Sequence, residues 1–166
     1  MKKHRILWIE DSAFHDLAHL SGPVYMSRKF SLEIAIDASE AISHLSSPKG
    51  AFDVVIVDIR IPPGNDPQWI KFTGGKDKNK ARLGLELLKM ILAPQTSSLS
   101  SQYSIAKWVT SEKIGVFTVE SSDEIKTELN MLDKIVYKQK KAAMSSGAFL
   151  KLVEDVILKQ GKFLYK

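Results

Sequence analysis

Three four-residue stretches restrict the folds open to this chain. Ile6-Leu7-Trp8-Ile9, Val54-Val55-Ile56-Val57 and Val116-Phe117-Thr118-Val119 are almost wholly apolar and rich in β-branched side chains. Strands that read this way are covered on both faces, and sheets covered on both faces are mostly parallel. With two weaker runs, the expected strands are Arg5 to Ile9, Ser31 to Ile36, Asp53 to Asp58, Ile114 to Val119 and Lys134 to Lys138. Helical patterns separate them at Ser12 to His19, Ala38 to Leu45, Arg82 to Leu92, Asp123 to Leu132 and Ala142 to Leu158. Alternation of this kind predicts an α/β architecture, a parallel sheet with helices on both faces.

The stripes Leu83, Leu85, Leu87, Leu88, Ile91 and Leu150, Leu152, Val153, Val156, Ile157 have near-helical spacing and read as core faces, not ligand boxes. At 166 residues the chain is expected to form one domain, 1–166, with almost no room for a second folded unit. Two connectors exceed the usual length for such units, at about 62–80 and 93–113. The second contains Tyr103, Ile105, Ala106, Trp108 and Val109, which read as a short extra helix on the domain edge. The absence of cysteine excludes disulfides, thiolate metal sites and a cysteine nucleophile. No apolar run approaches a membrane span or a signal-peptide core, so a cytoplasmic protein is expected. The formal charge of +5 permits attraction to nucleic acid, an anionic membrane or an acidic partner but specifies none.

In an open α/β sheet, ligands bind beyond the carboxyl ends of the strands, where the strand order reverses. The strand ends here supply Glu10 and Asp11, then Asp58, Thr118 and Lys138. Crowded carboxylates repel one another unless a cation neutralises them. Mg2+ suits oxygen ligands and retains open positions for a phosphate donor. A carboxylate attacking phosphorus would become an acyl phosphate, with its charge shared by metal, ammonium and hydroxyl.

The ordered set Ile9-Glu10-Asp11-Ser12, Val57-Asp58-Ile59-Arg60-Ile61-Pro62, Val116-Phe117-Thr118 and Val136-Tyr137-Lys138 resembles the receiver domain of bacterial response regulators. The resemblance runs from Lys3 to about Lys159, apart from the two connectors. It implies a flavodoxin-like, doubly wound five-stranded parallel sheet of order 2-1-3-4-5. It also implies Mg2+-dependent phosphorylation on Asp58 by a histidine kinase or phosphotransfer protein, with no enzymatic turnover beyond self-phosphorylation and autodephosphorylation. Asp11 would ligate the metal, Glu10 would act mainly through water, Arg60 would offer its backbone carbonyl, and Thr118 and Lys138 would contact the phosphoryl group.

The sequence departs from the family pattern at Val119, where Ala or Gly is usual, and at Gln139, where proline is usual. Ile135 takes the usual switch-aromatic position if Lys138 is the lysine; Tyr137 takes it if Lys140 is. Lys138 is preferred, because Lys140 would put Lys138 and Gln139 inside the strand. The output is expected to be a separate protein, nucleic acid is not an expected partner, and a homodimer through the last helix face stays open. Two alternatives stand beside this reading. One is a phosphorylation-independent receiver acting as an interaction domain; the other is a small Mg2+-dependent phosphatase, which lacks its second aspartate because Arg60 is there.

Other features have plainer accounts. Glu10, Asp11 and Asp58 could each cap a turn or helix. His15 and His19 have a metal-compatible spacing but no third ligand nearby. Lys71, Lys76, Lys78 and Lys80 read as a solvated loop more than an anion site. Gly74-Gly75-Lys76 lacks the phosphate-loop spacing.

Overall fold

In a computed structural model, which describes residues 2–161, five parallel strands form one sheet. They are β1 (His4–Ile9), β2 (Phe30–Ala35), β3 (Val54–Val57), β4 (Ile114–Thr118) and β5 (Val136–Gln139), in the order β2-β1-β3-β4-β5. The expected order is therefore the observed one. Residue 1 and residues 162–166 of the expected 1–166 domain lie outside the described residues.

Side chains alternate between the two sheet faces, so each apolar strand feeds two cores. Leu7, Ile9, Val55, Val57 and Val116 face one core, with α2 (Ala38–Ser46) and α5 (Leu83–Leu92). Ile6, Trp8, Val54, Ile56 and Phe117 face the other, with α1 (Ala18–Met26) and α7 (Ala148–Lys159). On α7, Leu152, Val153, Val156 and Ile157 of the expected stripe are buried, Leu150 is only partly buried against them, and Phe149, outside that stripe, joins the core and stacks on Trp8 with ring centroids 4.1 Å apart. Each such side chain contributes roughly 1.5–3 kcal/mol through burial.

Local chemistry sets several boundaries. The Asp37 carboxylate accepts the Glu40 N–H at 2.8 Å while Glu40 accepts the Ile36 N–H at 2.9 Å, which starts α2. Ser121 and Glu124 form a reciprocal capping box at α6 (Ser122–Lys126). Helix α6 is shorter than the expected Asp123 to Leu132, because Leu129 leaves helical geometry at φ −136° and a 3₁₀ turn follows at Asn130–Lys134. The helix expected at Ser12 to His19 begins later, at Ala18. The Ser12 carbonyl accepts from both His15 and Leu17, three and five residues on, a pattern of turns and not of an α-helix. Helix α7 begins six residues after the expected Ala142, past the weak helix formers Ser145-Ser146-Gly147.

Both long connectors are built structures. The first contains α3 (Pro67–Thr73) and α4 (Lys78–Ala81). Trp69 of α3 is fully buried and stacks on Tyr103 of the second connector, whose hydroxyl donates to Asp66 at 2.6 Å. The extra helix expected around Tyr103 to Val109 does not form. That segment packs on the core in irregular conformation, and two of its N–H donors are taken up at the end of α2. The Ala106 N–H donates to the Leu45 carbonyl and the Trp108 indole to the Ser47 carbonyl, each at 2.8 Å.

Candidate functional site

The carboxyl ends of β1, β3, β4 and β5 converge as the strand order requires. Glu10 and Asp11 follow β1, and Asp58 follows β3, its N–H donating to the Ile9 carbonyl at 3.0 Å. Glu10, Asp58 and Thr118 are 1%, 4% and 0% exposed. Beneath them, Gly84 in the first turn of α5 donates its N–H to the Ile59 carbonyl at 2.9 Å. A Cβ there would lie 1.8 Å from the Asp58 carbonyl oxygen, so only glycine lets α5 approach this closely.

One oxygen from each of Glu10, Asp11 and Asp58 lies within 4.8 Å of the others, the sole such cluster of three or more among the described residues. His15 and His19 are exposed and take no part in it. The cluster opens into a crevice of about 250 Å³ bordered also by Arg60, Lys78, Val119 and Lys140.

The lysine that reaches the cluster is Lys140. Its Nζ lies 2.9 Å from Asp58 Oδ2 and donates to Glu10 Oε2. Lys138 stands elsewhere: it pairs with Phe117 inside β5 and borders a separate groove with Ala143 and Met144. The preference for Lys138 assumed that β5 had to end at the last apolar residue. Edge strands tolerate polar side chains, and β5, half-exposed throughout, continues through Lys138 and Gln139. The Lys140 N–H then donates to the Thr118 carbonyl at 2.7 Å, which sets the lysine at the site. Its register was visible in the sequence as Tyr137 three residues before Lys140. The Tyr137 hydroxyl donates to the Glu120 carbonyl at 2.5 Å.

Two ionic contacts, those of Lys78 and Arg60, were not foreseen from the sequence. Lys78, from the first connector, places its ammonium 2.5 Å from Asp11 Oδ2. The Arg60 guanidinium turns aside, its Nε 3.0 Å from the buried Glu120 carboxylate, which Arg82 also holds through Nε and Nη2. Neither contact had a local signal, since their partners lie 67 and 60 residues apart in the chain.

Burial away from water, reinforced by the Asp58 charge, pushes the Glu10 carboxyl up to about 7, although Lys140 pulls the other way. Among the described residues five buried side-chain polar atoms lack a hydrogen-bond partner; two are the indole nitrogens of Trp8 and Trp69, and the other three, Asp11 Oδ1, Asp58 Oδ1 and Thr118 Oγ1, gather at this site. Such atoms are costly and rare in a native interior unless a ligand or ion completes them. Hard oxygen donors this close, two of them unsatisfied, fit a divalent cation such as Mg2+.

Comparison with solved structures agrees with this topology. A bacteriophytochrome response regulator superposes with TM-score 0.56 at 15% identity, covering 100% of this chain and 98% of its own. The chemotaxis response regulator CheY4 of Vibrio cholerae gives 0.54 at 19%, covering 93% and 99%. A CheY-like receiver domain protein from Methanospirillum hungatei gives 0.51 at 18%, covering 96% and 98%. This chain has the receiver fold. No family model matches it, and no curated protein matches its sequence. The likeness is one of backbone architecture, and within the receiver fold the acidic cluster occupies the carboxyl-end crevice.

Proposed function

We propose that this protein is a response regulator receiver that accepts a phosphoryl group on Asp58. The observation that carries the reading is the state of Asp58: buried, with Oδ2 on the Lys140 ammonium and Oδ1 unpartnered. A carboxylate oxygen of Asp58 attacks phosphorus, the bond from phosphorus to the donor's leaving atom breaks with its electron pair, and an acyl phosphate remains on Asp58. Lys140 and the Thr118 hydroxyl contact the transferred oxygens and share their charge. Asp11, Asp58 and the Arg60 carbonyl would hold Mg2+, with Glu10 acting through water. The ion would supply charge neutralisation for the incoming phosphoryl group.

The natural donor in this reading is a histidine kinase or phosphotransfer protein, and the output is a separate protein whose contacts change on phosphorylation. In this reading Tyr137, whose hydroxyl donates to the carbonyl two residues after Thr118, passes the state of the site to the β5 edge. No helix among the described residues is long and apolar enough to cross a membrane.

Intact-mass measurement with Mg2+ and acetyl phosphate tests the reading. Gain of one phosphoryl group, absent in Asp58→Asn and after chelation, supports it. A second reading, a receiver that works by binding without phosphorylation, is favoured by Lys78 on Asp11 and by Val119 bordering the crevice. Failure to gain mass under every condition selects it.

A further inference from the structure

The contact between Lys78 and Asp11 comes from the long β3–α5 connector and is held in place at both ends. On one side Trp69 is buried against Tyr103, and Asp66 accepts the Tyr103 hydroxyl. On the other, Arg82 adopts a left-handed conformation at φ 50° and its guanidinium grips the buried Glu120. Between these anchors Asp77 caps α4, accepting from Asn79 and Lys80 N–H groups at 2.9 and 3.1 Å. Of the four connector lysines, Lys71, Lys76 and Lys80 are exposed, while Lys78 is half-buried and turned into the crevice.

The charges explain why it stays. Glu10, Asp11 and Asp58 face two ammonium groups, Lys140 on Glu10 and Asp58, and Lys78 on Asp11. Lys140 spans the pair that Lys78 does not touch, so each carboxylate has a cation. A divalent ion bound to Asp11 would meet the Lys78 ammonium on the same carboxylate, and like charges at that separation repel strongly in a partly buried site.

We propose that Lys78 is a built-in competitor for the divalent cation, an ammonium seated on Asp11 that must withdraw when the ion binds, so that metal occupancy and the position of α4 are coupled. The inference rests on the metal site proposed above. It assigns the connector a regulatory role: the ion's affinity is lowered until α4 is drawn away, and a partner that binds α4 in the withdrawn position would raise it.

Calorimetric titration of Mg2+ into the full chain tests this, comparing the native protein with Lys78→Met and, as a charge-matched control, Lys80→Met. The expected result is Mg2+ binding about five- to tenfold tighter in Lys78→Met, with Lys80→Met within about twofold of native. Equal or weaker binding in Lys78→Met overturns the proposal while leaving the metal site intact. Equal tightening in both variants also overturns it, because net charge alone would then explain the effect. Absence of Mg2+ binding in all three folded proteins removes the metal site itself, and this inference with it.

Discussion

Lys140 Nζ lies 2.9 Å from Asp58 Oδ2, joining residues 82 positions apart across the top of the sheet. The same ammonium reaches Glu10, so one cation ties the ends of β1, β3 and β5 together. Lys140→Ala is expected to lower the rate of phosphorylation by acetyl phosphate at least about tenfold, since it removes a charge that stabilises the transferring group. Lys138→Ala should leave the rate within about twofold. Mass-resolved time courses of both variants decide which lysine serves the site; the reverse ranking would refute the assignment.

Glu10 makes metal-free stability depend on pH. Its folded carboxyl titrates near 7, above the ordinary 4.5, so between these values the folded state binds the extra proton. The stabilisation is complete below about pH 4.5 and is lost as pH rises through about 7, a loss of roughly 3 kcal/mol for a shift of this size. Urea unfolding in chelator across pH 4.5 to 8 should show this decline. Glu10→Gln should flatten it; an unchanged slope in that variant would place the titration on another group.

Glu120 is a buried carboxylate with two guanidinium partners, and they are not equivalent. Arg82 makes three hydrogen bonds to it, whereas Arg60 makes one. Arg82→Ala should therefore destabilise by about 2 kcal/mol, below the usual cost of breaking a buried pair because Arg60 remains. Arg60→Ala should cost about 1 kcal/mol or less, as expected of a partly exposed ion-pair partner. The ordering is the prediction, and denaturant midpoints at constant slope measure it.

Gly84→Ala should be severe. The new Cβ meets the Asp58 backbone carbonyl oxygen at 1.8 Å, and a backbone atom cannot swing aside as a side chain would, so α5 must move away from the end of β3. A cost of about 3 kcal/mol is expected from overpacking of this kind. Because the strain falls on Asp58 itself, phosphorylation should drop in the variant even at temperatures where circular dichroism shows it folded. Normal phosphorylation would mean that the helix shifts without moving Asp58.

What the sequence determined by itself was whatever local periodicity encodes. The apolar runs marked β1, β3 and β4 as covered on both faces, the stripes on α5 and α7 marked their buried sides, and the strand ends marked Glu10, Asp11, Asp58 and Thr118. These features follow from alternation along a few residues and from the rule that parallel sheets gather ligands at their carboxyl ends. Tertiary structure alone decided the rest. The end of β5 was not legible from apolarity, because an edge strand leaves Lys138 and Gln139 half in solvent at little cost, and that extension carries Lys140 to Asp58. The segment from Tyr103 to Val109 forgoes a helix because α2 supplies its hydrogen-bond partners. The arrival of Lys78 at Asp11 depends on the path of a connector anchored through Trp69 and Arg82, and a contact across 67 residues leaves no trace in local spacing.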